Sequence, residues 1–65
     1  MLFIDKQEDI QEFVLTHTEV EAESNFWGNE LPICKVTLGH LTFEDIDNIS
    51  FIEYEEDTKH CVVVF

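Results

Sequence analysis

The chain has 65 residues, 45% of them hydrophobic, and fifteen Asp and Glu against three Lys and no Arg, for a formal net charge of −12. That length holds one domain, and such a chain buries only about 60% of the surface its unfolded form exposes. Six Phe, one Trp and one Tyr exclude a disordered acidic tail. The size leaves little room for a deep catalytic pocket, and the lack of a basic patch excludes direct binding to nucleic acid through phosphate contacts.

Residues 1–4 form a short apolar run that reads as an edge or starter strand. Asp5, with Glu8 three residues on, resembles a capping box that opens a helix. Ile10, Phe13, Val14 and His17 then follow i, i+3, i+4, i+7 spacing, which is one face of a helix over about residues 6–16. From Thr18 the period changes to two. Val20, Ala22, Ser24 and Phe26 alternate with Glu19, Glu21, Glu23 and Asn25, as in a strand with one acidic face. Residues 25–32 read as a loop, with turn chemistry at Trp27-Gly28-Asn29 and a break at Pro32.

Two hairpins are expected in the second half. Gly39-His40 suits a two-residue type II′ turn. Folding the chain there sets Leu38 against Leu41, Thr37 against Thr42, Val36 against Phe43 and Lys35 against Glu44, all matched in kind. Residues 45–48 read as a polar turn. The second hairpin turns at Glu56-Asp57-Thr58-Lys59 and pairs Tyr54 with Cys61, Ile52 with Val63 and Ser50 with Phe65. Its other face carries Glu55 opposite His60, Glu53 opposite Val62 and Phe51 opposite Val64. The Val62-Val63-Val64-Phe65 strand must be paired or covered, since an exposed apolar edge aggregates. Together these elements predict one α+β domain over residues 1–65, a helix packed on a small antiparallel sheet built from two hairpins.

No chemical signature stands out. Cys34, Cys61, His40 and His60 are the residue types of a Cys₂His₂ zinc set, but no C-x₂₋₄-C or H-x₃₋₅-H spacing is present. The Glu44-Asp45-Ile46-Asp47-Asn48 run has oxygen ligands but lacks the glycine and distal Glu of a calcium loop. General acid–base work needs a carboxyl tuned in a water-poor cleft, and His60 and Cys61 alternate to opposite strand faces. The expectation is a protein without enzymatic activity, cofactor or metal. The start at Met1 suggests a complete short reading frame. With no basic-then-apolar leader and no apolar run long enough to span a membrane, the expected location is the cytoplasm, where thiols stay reduced.

The acids carry the functional expectation. Glu19, Glu21 and Glu23, together with Glu53, Glu55, Glu56 and Asp57, would form a negative ridge if their segments lie on one side. Trp27 is a candidate anchor, since Trp is enriched at binding hot spots. Such a ridge fits a basic surface of a partner protein, such as a nucleic-acid enzyme. A folded chain of this size is roughly 28 Å across, and about 20 Å of duplex DNA holds twelve charges. In size and charge, though in no motif, the chain resembles the small acidic inhibitors of phages and mobile elements, including anti-CRISPR proteins and DNA mimics. The alternatives are a self-associating accessory protein, a homodimer joined through its C-terminal strand edge, and a small metal-binding module.

Overall fold

The computed structural model describes residues 1–24 and 34–65. Strands β4 (Phe51–Glu55) and β5 (His60–Val64) form the central hairpin. Their register is the one expected: Phe51, Ile52, Glu53, Tyr54 and Glu55 face Val64, Val63, Val62, Cys61 and His60. Alternation explains it, because Ile52, Tyr54, Cys61 and Val63 are all buried, and a slip of one residue would expose every one of them. The turn at residues 56–59 places Lys59 in the left-handed region, at φ 60°.

Strand β1 (Leu2–Ile4) pairs antiparallel with β4, setting Ile4 beside Ile52. Helix α1 (Gln7–Thr16) follows and buries Ile10, Phe13 and Val14. His17 is half-buried and stacks on Phe13, with ring centroids 4.1 Å apart. The expected Asp5–Glu8 capping box is absent: Lys6 is the N-cap and makes no side-chain cap bond. With the start moved by one residue, Glu8 and Asp9 still occupy the first turn, where the helix dipole favours acids.

Strand β2 (Glu21–Ser24) keeps its expected alternation, with Ala22 and Ser24 buried and Glu21 exposed. Its pairing departs from the expected all-antiparallel sheet. β2 lies between β5, to which it is parallel, and strand β3 (Cys34–Thr37), to which it is antiparallel. The five strands run in the order β1-β4-β5-β2-β3. The fold is α+β, one substantial helix on a five-stranded mixed sheet built mainly from two antiparallel pairs, β4–β5 and β2–β3.

The hairpin at Gly39-His40 does not form. β3 is taken by β2, which sets Glu23 beside Lys35 and Ala22 beside Val36. That pairing gives Lys35 an acidic neighbour and Val36 an apolar one, as Glu44 and Phe43 would have done. A 3₁₀ turn follows over Leu38–His40. The Leu38 amide donates to the Val20 carbonyl and the Gly39 amide to the Thr18 carbonyl, at 2.9 and 3.0 Å. The expected second strand and polar turn are instead helix α2 (Phe43–Asp47). Thr42 caps it: the Thr42 hydroxyl accepts from the Asp45 amide, and the Asp45 carboxylate accepts from the Thr42 amide.

The core lies between α1 and one face of the sheet. Ile4, Ile10, Phe13, Val14, Ala22, Leu38, Ile46, Ile49, Ile52, Tyr54, Cys61 and Val63 form one buried cluster. β5 is interior, bonded to β4 and β2, so the C-terminal strand offers no free edge for self-association. Among the described residues, the edges of the sheet are β1 and β3. The radius of gyration is 10.7 Å. No helix among the described residues is long and apolar enough to cross a membrane.

Candidate functional site: the open face of the sheet

Strand alternation sends half the side chains away from α1, and among the described residues no helix packs on that second face. Register fixes its contents. One row across the sheet runs Phe3, Glu53, Val62, Glu23, Lys35. Strands stand about 4.8 Å apart, so Glu53 and Glu23 lie roughly 10 Å from each other across Val62. Two residues along their strands, Glu55 and Glu21 continue the two acidic columns, at a spacing of about 7 Å. His60 lies between the columns, opposite Glu55 in register, and its Nε2 is 2.9 Å from Glu23 Oε1. At the other end the face turns apolar. Phe3 stacks on Phe51 with centroids 5.1 Å apart, and Val62 and Val64 are half-buried beside them.

Four of the expected acids, Glu21, Glu23, Glu53 and Glu55, are thus brought onto one face from segments thirty residues apart. Glu19 lines a cleft of about 550 Å³ that opens between β2 and β5, together with Glu21, Glu23, Lys35, Lys59 and His60. Glu56 and Asp57 stand exposed in the β4–β5 turn, at the end of the face near Glu55. Trp27 lies outside the described residues, as does the loop expected over 25–32.

The face also carries cations. Lys35 neighbours Glu23 in register, and the Met1 ammonium lies 3.9 Å from Glu55 Oε2. Both side chains of the His60–Glu23 contact are exposed, so the contact contributes little to stability. The sequence pointed to Glu55 as the partner of His60. The parallel placement of β2 beside β5 gives it Glu23 instead, and nothing in local spacing announces a parallel pair.

Of the residues weighed for metal, the Cys34 side chain lies outside the described residues. His40 is exposed in the 3₁₀ turn, while Cys61 is buried on the core face, opposite to His60. No group of three or more His, Cys, Asp or Glu among the described residues is placed to hold a metal ion. Burial pushes the Cys61 thiol up to about 11, which suppresses the reactive thiolate. The folded pKa thus lies above the usual 9.0. Its contribution to stability is complete below about pH 9 and is lost as the pH rises toward 11. In a Cys34→Ser background, Cys61 should resist a thiol reagent at pH 8 and react fully in denaturant. Rapid labelling of the native protein would place Cys61 outside the core. Among the described residues no buried side-chain nitrogen or oxygen lacks a hydrogen-bond partner.

Comparison with known protein families, with curated protein sequences and with solved structures finds no match.

Proposed function

We propose that the chain is a cytoplasmic, non-enzymatic binding protein that covers a basic, nucleic-acid-binding surface of a partner protein, as the acidic inhibitors of mobile elements do. The observation that carries this reading is the register Glu53–Val62–Glu23. It holds two columns of carboxylates, Glu53–Glu55 and Glu21–Glu23, on the open sheet face. Their spacing along the strand is about 7 Å, and a rigid sheet presents them without the entropy cost of ordering a loop. The net charge of −12 steers the encounter over distances beyond contact and suppresses association with acidic surfaces. Phe3 and Phe51 supply an apolar end at which a partner can exclude water.

The test is capture of partners from a cell lysate at low salt, followed by elution in a salt gradient. A variant with Glu21, Glu23, Glu53 and Glu55 all changed to Gln keeps the shape of the face and removes four charges. A basic nucleic-acid-binding protein should be retained by the native chain. The variant should release it at markedly lower salt, since exposed charge pairs are screened within about 8 Å at physiological ionic strength. Identical elution from both proteins would remove this face from the account.

A further inference from the structure

The helical side of the molecule carries a second surface. α1 and α2 hold six acids, Glu8, Asp9, Glu12, Glu44, Asp45 and Asp47, and no Lys or Arg. Between the C-terminal half of α1 and α2 runs a groove of about 330 Å³, lined chiefly by Val14, Leu15, Thr18, Leu41, Phe43 and Ile46. No charged side chain lines it. Leu15 is 58% exposed and Phe43 76% exposed. Neither belongs to the core, and Ile46 is the residue by which α2 is anchored. Two large apolar groups therefore stand in water where the fold does not need them.

We infer that this groove seats one bulky apolar side chain of a partner protein segment in which that residue is flanked by lysine or arginine. The volume is at the small end of the range for binding pockets, roughly 300–1,000 Å³, which suits a single anchoring side chain. Charge selects the rest of the occupant. The last turn of α1 holds no Lys or Arg, and the carbonyl end of a helix carries partial negative charge. Glu44, Asp45 and Asp47 lie beside Phe43 and Ile46 on α2, while no charge lines the groove itself, so cations next to the anchor meet complementary potential. A second copy of this chain is the wrong occupant, since it would bring its own −12 against the same acids. An anionic lipid surface is repelled for the same reason.

The groove lies on the helical layer, away from the open sheet face, and is tested separately. The probe is a short synthetic peptide with one central Leu between runs of Lys, titrated into ¹⁵N-labelled protein. Amide shifts should centre on Leu15, Thr18, Leu41 and Phe43. Phe43→Ser should weaken binding about tenfold or more, as loss of a hot-spot contact does, with an unchanged melting temperature. Leu15→Ser serves as the second variant should Phe43→Ser unfold. A peptide of Lys alone should leave the groove amides unmoved, and the Glu→Gln variant of the sheet face should bind the Leu/Lys peptide as the native chain does. Shifts centred on Glu23 and Glu53, no shifts, or equal binding of both peptides or of the serine variants would overturn the assignment.

Discussion

Ile52→Ala should remove about 3 kcal/mol of stability, within the 2–5 kcal/mol range of large-to-small core substitutions. Ile52 is 0% exposed in the centre of β4, with Ile4 beside it on one side and Val63 on the other. Strands β1 and β5 bound it on both sides, which limits collapse into the space it would leave. A domain of this length has roughly 3–10 kcal/mol to lose. The variant should therefore be largely unfolded at physiological temperature, or show a urea midpoint reduced by about 30% or more. A loss below about 1 kcal/mol would mean that β4 is not interior to the sheet.

Gly39→Ala has the next largest expected effect, about 1–3 kcal/mol, the usual cost of forcing atoms into a packed site. The Gly39 amide bonds to the Thr18 carbonyl, and the backbones approach so closely that a Cβ at Gly39 would lie 2.8 Å from that oxygen and 3.0 Å from Thr18 Cβ. The obstruction is mostly backbone, so no side-chain rotation relieves it. Thr18→Gly removes only the Cβ part. The two substitutions should therefore couple, with the double variant more stable than the sum of the singles by at least about 0.5 kcal/mol. Strict additivity would deny the contact and revive a hairpin turn at Gly39.

Gly39 shows why part of the fold was legible and part was not. The glycine is required, as its position suggested, but for a close approach to Thr18 rather than for a type II′ turn. The pairs Leu38–Leu41 and Lys35–Glu44 were consistent with one another, yet Lys35 lies beside Glu23 and the Leu38 amide bonds to the Val20 carbonyl, both earlier in the chain. Sequence periodicity describes the faces of a strand and does not say which strand lies beside it. Where neighbours are joined by a short turn, as in β4–β5, the register could be read residue by residue. Where the pairing is parallel, as in β2–β5, it could not. α2 has five residues, too few for helical periodicity. Its readable signal was Thr42-Phe43-Glu44-Asp45, which matches the capping pattern of a Thr followed three residues later by an acid. The same limit applies to the site. Glu21 and Glu23 were correctly assigned to one face, as were Glu53 and Glu55, but only the sheet order decides that the two faces coincide. The apolar groove between α1 and α2 depended on finding α2 at all.

The most direct measurement is competition between this protein and a nucleic acid for one site. A basic nucleic-acid-binding protein retained by the native chain is mixed with labelled duplex DNA at fixed salt, and the acidic chain is added. The open-face reading expects stoichiometric release of the DNA, with release by the Glu21/Glu23/Glu53/Glu55→Gln variant requiring at least about tenfold more protein, the loss expected from about 1.4 kcal/mol of interface energy. A stable ternary complex in which the DNA stays bound would contradict it.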